Sequence, residues 1–206
     1  MINRVLDYLD ELYENPRCEL NYRYDYELLI AIVLSAQTTD KMVNRVTSIL
    51  FDKYNSLTKL SEANIDDIEN IIREIGTFRR KSIYVKEIAL RLCNDGYSYV
   101  PNDRIYIESL PGVGRKTANV FLSNIYDEPA IAVDTHVSRV SKRLGLVEKN
   151  DDVNIIERKL EKKIPRDRWG KTHHQMVLFG RYQCKAINPL CDNCNLKDIC
   201  KYKKKK

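Results

Sequence analysis

Lys116 and Asp134 are the residues whose types and spacing point most directly to chemistry. Lys116 follows a glycine-rich turn, and Asp134 stands 18 residues further along the chain. A neutral lysine amine is a nucleophile, but an ordinary lysine is almost fully protonated at pH 7, so it needs burial or neighbouring positive charge. Arg115 and the positive end of a helix would supply that charge. Two alternatives stay open: Lys116 can pair with a phosphate, and Asp134 can cap the next helix.

The turn before Lys116 has the sequence Leu-Pro-Gly-Val-Gly-Arg-Lys. Gly112 and Gly114 allow a close approach of the backbone to another surface, and the apolar spacing predicts a helix from 117 to 125. With a short helix expected over 102–108, the pattern is that of a helix–hairpin–helix phosphate clamp, because free N–H groups at a helix start attract anions. A glycine-rich connection between two packed helices fits the same residues. The spacing of a Walker P-loop is absent.

Four cysteines close together near the end of the chain form a second chemical motif. Their spacing is Cys-x6-Cys-x2-Cys-x5-Cys, over Cys184, Cys191, Cys194 and Cys200. Four thiolates at this spacing can enclose one soft metal centre, and the cysteine count alone fits both zinc and an iron–sulfur cluster. Cys18 and Cys93 lie in other segments and are interpreted as ordinary thiols.

The charge is divided unevenly between the two halves of the chain. The net charge is +6 overall, but residues 1–110 carry −4 and residues 111–206 carry +10. A basic half that also holds the hairpin and the cysteines indicates a polyanionic partner, although a solvated surface with a lysine tail at 203–206 would give the same balance. The longest apolar run, 28–34, is too short to cross a membrane, and no signal region is visible. We therefore expect a cytosolic protein.

Helical spacing of apolar residues recurs along the chain, and no segment alternates as a strand does. The predicted fold is therefore all-α. Asp25 and Asp40 are predicted N-caps, and the apolar helix that follows Asp25 is expected to be central. The predicted helices cover residues 3–14, 25–36, 41–54, 65–75, 81–93, 117–125, 135–144, 152–163 and 169–184.

Three stretches together resemble a known family. They are the hairpin from Leu110 to Asn119, the segment from Val133 to His136, and the cysteine spacing. In these stretches the chain resembles the helix–hairpin–helix DNA glycosylases, and among them the endonuclease III family, over about residues 28–200. The resemblance implies a two-lobed fold with a DNA cleft between the lobes. Residues 18–128 would form a six-helix barrel ending in the hairpin. Residues 1–17 and 129–206 would form a discontinuous four-helix domain with a 4Fe-4S cluster loop.

The resemblance also implies an activity. The enzyme would be a bifunctional DNA glycosylase and AP lyase that flips an oxidised pyrimidine out of damaged double-stranded DNA. Lys116 would attack the sugar, displace the base and form a Schiff base, after which β-elimination cuts the 3′ side. Asp134 would accept the proton from Lys116 and stabilise the charge on the sugar. The implied protein is a prokaryotic, cytoplasmic monomer that is associated with the nucleoid. It is not expected to bind a membrane or any small-molecule cofactor besides the cluster.

The implied DNA contacts come from several segments. Gln37 would fill the gap left by the extruded base, although a surface amide near a helix end is the simpler interpretation of that residue. The family places a bulky apolar wedge after a glycine, where this chain has Thr77, so the wedge is either Thr77 or Phe78. His136 would orient the site, and Lys185 in the cluster loop would meet a phosphate. The full predicted set is Gln37, Thr77, Phe78, Gly112, Val113, Gly114, Arg115, Thr117, His136 and Lys185.

Related activities remain as alternatives. The adenine glycosylase branch lacks the lysine and carries a catalytic glutamate before the Gln37 segment, whereas this chain has no carboxylate in Leu28–Ala36. Mismatch thymine glycosylases also usually replace the lysine. A non-enzymatic helix–hairpin–helix module with a structural zinc is a different class, and the pairing of Lys116 with Asp134 argues against it.

Overall fold

The structure is a computed structural model that describes residues 1–202. Eleven α-helices account for most of these residues, and none of them lies in a β-strand. The all-α prediction is therefore confirmed, while the lysine tail at 203–206 lies outside the described residues. The helices are α1 Ile2–Leu12, α2 Asp25–Ser35, α3 Asp40–Lys53, α4 Leu57–Ser61, α5 Ile65–Ile71, α6 Phe78–Asn94, α7 Arg104–Ser109, α8 Arg115–Ile125, α9 Thr135–Arg143, α10 Val153–Lys163 and α11 Trp169–Leu178.

The chain divides into two compact units. One unit runs from Glu19 to Tyr126, and the other combines Met1–Cys18 with the chain from Asp127 onward. Helices α2 to α8 belong to the first unit, and α1 with α9, α10 and α11 belong to the second. No helix within residues 1–202 combines the length and the apolar character that crossing a membrane requires.

Helix α2 is the centre of the first unit. Its residues 28–34 are all at most 7% exposed, and it packs against α3, α6 and α8. A helix that is apolar on every side is stable only when other elements surround it, because each buried leucine or isoleucine contributes about 1.5–3 kcal/mol. The central position predicted from the apolar run is therefore observed.

Two predicted helix caps are wrong by one residue. Helix α2 has Tyr24 as its N-cap residue, and the Asp25 carboxylate instead accepts a hydrogen bond from the N–H of Val100 at 2.8 Å. Helix α3 is capped by Thr39, whose hydroxyl oxygen accepts from the N–H of Met42 at 3.3 Å, while Asp40 is the first helical residue. In both cases the aspartate lies in the first turn, where its negative charge still interacts favourably with the positive end of the helix dipole.

Helix α1 is fastened to α11 in the second unit by one carboxylate. Asp10 accepts hydrogen bonds from Arg168 Nη2 at 2.8 Å and from Gln175 Nε2 at 2.9 Å, and Lys171 Nζ lies 2.8 Å away. Burial alone would raise the pKa of Asp10, but the hydrogen bonds from Lys171, Gln175 and Arg168 outweigh it and lower the pKa to about 2. This contact connects the N-terminus of the chain to residues more than 150 positions later.

The last predicted helix is shorter than its apolar pattern indicates. Helix α11 ends at Leu178, and Phe179–Gln183 form a π-helical turn that leads into Cys184. The turn brings Gly180 against α9, where an added Cβ would lie 2.9 Å from His136 Cβ. The prediction of one helix over 169–184 is therefore wrong in its last turn, because close packing on α9 changes the local winding.

Candidate functional site

The glycine-rich turn joins α7 to α8, as the helix–hairpin–helix pattern predicts. Gly112 has a φ of +75°, and an added Cβ would lie 2.5 Å from Tyr84 Cδ2, so this position needs glycine for two reasons. Gly114 differs, because nothing lies within 4 Å of a Cβ built there. Val113 is buried, and its N–H donates to Leu110 O at 3.1 Å. The open side of the turn therefore lies at Gly114.

Helix α8 begins at Arg115, two residues before its predicted start. Gly114 is its N-cap residue and has no side chain to accept from the first N–H groups. Lys116 is the second residue of the helix, and its side chain is exposed. Thr117 follows it and is half-buried. An exposed amine thus lies at the positive end of a helix dipole, on the residue after Arg115.

Gln37 lies in a turn directly after α2. It is exposed, and its φ of +58° places it in the left-handed region. The turn is closed by a hydrogen bond from Thr38 N to Ser35 O at 3.0 Å. A left-handed conformation is uncommon for a residue with a side chain and costs of order 1 kcal/mol or more, so it marks a position held by its surroundings.

Thr77 has the same unusual conformation. Its φ is +57°, it is exposed, and it is the N-cap residue of α6. Phe78 is the first residue of that helix and is half-buried, and the guanidinium of Arg79 lies 5.4 Å from the centre of its ring. A β-branched residue is rarely left-handed, so the turn holds Thr77 against its own preference. Helix α6 begins at Phe78, three residues before its predicted start.

Asp134 caps helix α9, as its sequence position allows. Its Oδ1 accepts a hydrogen bond from Val137 N at 2.7 Å. No residue between 1 and 202 donates a hydrogen bond to the other oxygen, Oδ2. The preceding residues 130–133 are all at most 7% exposed, which fixes the backbone that presents Asp134. The carboxylate can therefore hold the helix with one oxygen and offer the other to a ligand.

His136 is held by its neighbours in the same unit. Arg139 Nη2 lies 3.2 Å from His136 Nδ1 and donates to Gly180 O at 2.7 Å. Because an arginine can only donate, Nδ1 is the acceptor, and the proton of the neutral ring lies on Nε2. Burial lowers the pKa of His136, the charge of Asp134 opposes this shift, and that of Arg139 adds to it. His136 is thus neutral and half-buried beside Asp134.

The four cysteines of the second unit line one cavity. All four are free thiols of intermediate exposure, and the cavity volume is about 760 Å³. Phe179 and Leu144 form part of its apolar wall. Burial raises the pKa of the Cys194 and Cys200 thiols. Among residues 1–202, no group of three or more His, Cys, Asp or Glu side chains stands where it could hold a metal ion.

Arg143 connects the first and last cysteines of this cluster. Its Nη1 lies 3.4 Å from Cys184 Sγ and donates to Lys185 O at 2.6 Å, and its Nη2 donates to Ala186 O at 3.1 Å. Its own carbonyl accepts from Cys200 Sγ at 3.2 Å. Lys185 itself is exposed. Arg143 therefore fixes the start of the cysteine loop and its return.

Several residues that organise these segments were not singled out by sequence reasoning. They are Lys81, Arg139, Arg143 and Gly180, and all act through contacts with residues distant in the chain. A single sequence contains no signal for such contacts, because an arginine or a lysine in an amphipathic helix normally faces solvent. The glycine in the predicted last helix was the one available signal, since glycine weakens a helix interior.

The chain matches a family described as HhH-GPD superfamily base excision DNA repair protein over residues 30–166. It is 42% identical to endonuclease III of Bacillus subtilis (strain 168) over 200 residues, which cover 97% of this chain and 91% of the relative. It is 39% identical to endonuclease III of Escherichia coli (strain K12), over 97% of this chain and 96% of that protein.

Solved structures agree with these relatives. The structure of a trapped endonuclease III–DNA covalent intermediate is 46% identical, covers 97% of this chain and 94% of that chain, and gives a TM-score of 0.92. A thermostable thymine-DNA glycosylase is 24% identical, with a TM-score of 0.84, and is therefore similar in fold alone. The chain acts in base excision repair as a DNA glycosylase with AP lyase activity. It belongs to the endonuclease III family, within the HhH-GPD superfamily of base excision DNA repair proteins.

Proposed function

We propose that Lys116 is the nucleophile for both base removal and strand cleavage. The observation that supports it is the exposed amine on the second residue of α8, directly behind the open turn at Gly114. Its attack on the sugar carbon displaces the damaged base and leaves a Schiff base. Loss of the neighbouring sugar proton then breaks the 3′ phosphodiester by β-elimination. A relative that is 46% identical was trapped as a covalent intermediate with DNA, which is the type of adduct that this mechanism requires.

Asp134 is the second participant in this proposal. It accepts the proton from Lys116 and stabilises the positive charge that develops on the sugar. Oδ1 is already engaged as the cap of α9, so Oδ2 is the oxygen that carries this role. His136, neutral and oriented by Arg139, is the adjacent polar group on the same helix and fixes the surroundings of the carboxylate.

Several segments contact the DNA partner in this proposal. The N–H groups at the start of α8 bind a phosphate through Gly114, Arg115 and Thr117, while Gly112 and Val113 shape the turn. Gln37 and one of the two residues Thr77 and Phe78 enter the duplex where the damaged base leaves. Lys185 meets a phosphate from the cysteine loop. Phosphate contacts of this kind position the protein and do not read the base sequence.

We further propose that the four cysteines hold a 4Fe-4S cluster. The proposal is supported by the donor set, because four soft thiols, the ligands that hold iron–sulfur clusters, line one cavity. When bound, the cluster ties the loop between Cys184 and Cys191 to the rest of the unit, and its role here is structural. Residues of the chain also hold this loop, because Arg143 donates a hydrogen bond to Lys185 O and so orients the loop that carries Lys185.

The remaining parts of the proposal concern organisation and substrate. In this proposal a barrel domain covers residues 18–128, and a cluster domain covers residues 1–17 with 129–206. Oxidised pyrimidines in double-stranded DNA are the substrates, and the protein acts as a monomer in the prokaryotic cytoplasm, near the nucleoid. The near-complete coverage of the endonuclease III relatives supports this choice over neighbouring branches of the superfamily.

The test uses three duplexes, which contain thymine glycol, an abasic site, or adenine opposite 8-oxoguanine. The wild-type protein should cut the first two and be trapped on them by borohydride. Lys116→Gln should lose trapping and cleavage while it still binds. Lys59→Gln is the matched control, because it removes another exposed lysine amine, on α4, and should be trapped like the wild type. Undiminished trapping of Lys116→Gln would move the nucleophile elsewhere, and cleavage confined to the adenine duplex would reject the substrate class.

A further inference from the structure

Lys81 is an unusual buried cation in the first unit. It lies in the first turns of α6, and only 4% of it is exposed. Its Nζ donates to Ala36 O at 2.6 Å and to Leu34 O at 2.9 Å, with Thr38 Oγ1 at 3.4 Å. Burial lowers the pKa of Lys81, and the charge of Arg80 adds to this shift. A lysine that is desolvated in this way needs a compensating role, because burying an ammonium is costly.

The carbonyls that Lys81 contacts belong to the end of α2 and the turn after it. The last carbonyls of a helix have no partner within the helix, and the negative end of its dipole favours a cation. The Ser35 hydroxyl donates to Ile32 O at 2.8 Å, and Thr38 N donates to Ser35 O at 3.0 Å. Lys81 supplies the donors for Leu34 and Ala36, and thus caps α2 from another helix.

The backbone of Lys81 contacts the turn at Thr77. Its N–H donates to Thr77 O at 3.1 Å, four residues earlier, as the first hydrogen bonds of α6 form. One residue therefore joins the turn of Gln37 through its side chain and the turn of Thr77 through its main chain. Both turns hold a non-glycine residue in the left-handed region, with φ values of +58° and +57°. The two strained turns are parts of one hydrogen-bonded assembly.

We propose that Lys81 is a positioning residue that fixes the Gln37 turn and the Thr77–Phe78 turn relative to each other, so that both enter the DNA duplex together. This inference rests on the proposed function, since it takes these two turns as the ones that fill the space of the extruded base. It adds a residue that touches neither the sugar nor the base. The hydrogen bonds of its Nζ to Leu34 O and Ala36 O join the backbone directly before Gln37 to α6.

The test places 2-aminopurine opposite a tetrahydrofuran abasic analogue and measures its fluorescence at saturating protein. Entry of the two turns changes the stacking of the opposite base, so the wild-type protein should change the fluorescence. Lys81→Met should give a much smaller amplitude, and its single-turnover cleavage of a natural abasic duplex should fall about 10- to 100-fold, as small misplacements of this kind cost. Saturation makes the amplitude independent of how much protein is folded, so partial unfolding alone would not reduce it.

Two controls separate the possible failures. Lys86→Met removes the same charge from the same helix and should behave as the wild type. Lys116→Gln should lose cleavage but keep the full fluorescence amplitude; a wild-type protein that is not trapped on abasic DNA would instead reject the proposed function itself. A wild-type amplitude in Lys81→Met overturns this inference alone. Should Lys81→Met fail to fold, Lys81→Gln keeps a neutral NH₂ donor group and should give an intermediate amplitude, and an unchanged amplitude there overturns the inference equally.

Discussion

Asp134 carries two roles in this account, and substitutions can separate them. Its Oδ1 accepts from Val137 N at 2.7 Å and caps α9, while Oδ2 is the oxygen assigned to the chemistry. Asparagine is as good an N-cap as aspartate, whereas alanine is a poor one. Asp134→Asn should therefore keep the cap and lose the carboxylate charge, and Asp134→Ala should lose both.

The expected magnitudes follow from the single capping hydrogen bond. Its loss in Asp134→Ala should destabilise the protein by about 1 kcal/mol, which lowers the melting temperature by about 2–4 °C in a chain of this size. Asp134→Asn should melt within about 0.5 kcal/mol of the wild type. Both variants should excise thymine glycol about 100-fold or more slowly, because each lacks the charge that, in the proposed mechanism, accepts the proton and stabilises the sugar cation.

Asp152 provides the matched control for this series. It caps α10 in the same unit, with Oδ1 accepting from Asn154 N and Ile155 N at 2.9 Å each. Asp152→Ala should lose stability much as Asp134→Ala does and excise the base at the wild-type rate. Thermal melting and single-turnover excision, measured on all four proteins, check the two roles together. Excision at the wild-type rate by Asp134→Asn would refute the catalytic assignment, and a stability loss equal to that of alanine would refute the capping argument.

Three other perturbations test separate parts of the account. Gly114→Asp fits the fold, since a Cβ built at this position meets nothing within 4 Å. In an anisotropy titration it should weaken binding to damaged and undamaged duplexes alike, and a loss of binding confined to one lesion would contradict the phosphate contact. Cys184→Ser should abolish the absorbance at about 400 nm and the content of about four irons per chain, whereas colourless wild-type protein with one zinc would reject the cluster. Asp10, with a pKa of about 2 against the ordinary 3.8, stabilises the fold above about pH 4 and loses this contribution as the pH falls toward 2. Because its side chain is a third exposed, screening reduces the contribution to about 1–2 kcal/mol, and urea unfolding at neutral and acid pH should show a smaller pH dependence in Asp10→Asn than in the wild type.

The features that could be predicted from the sequence are those that depend on local periodicity and on the burial of apolar residues. The apolar run 28–34 predicted a central helix because a helix that is apolar on all sides can be stable only inside a core, and α2 lies there. The glycine turn, the N-cap role of Asp134 and the end of α9 near Gly145, with its φ of +68°, depend on short-range backbone geometry and were also predictable.

Features that depend on contacts between distant segments were not predictable. The Asp25 carboxylate accepts a hydrogen bond from the N–H of Val100, 75 residues away, so the prediction that Asp25 is a local helix cap is wrong. The π-helical turn at Gly180 follows from close packing on α9, which no periodicity reports. Lys81 was predicted as the start of a helix, but its side chain donates hydrogen bonds to carbonyls 45 and 47 positions earlier.

The central claim is that one lysine amine forms the covalent bond to DNA. The most direct measurement incubates the wild-type protein with an abasic duplex, reduces the adduct with borohydride, digests both components and locates the remaining sugar on the peptides by mass spectrometry. We expect the modified residue to be Lys116, in the peptide that spans the hairpin and the start of α8. A sugar found on another amine, such as the N-terminus or Lys185, would contradict it.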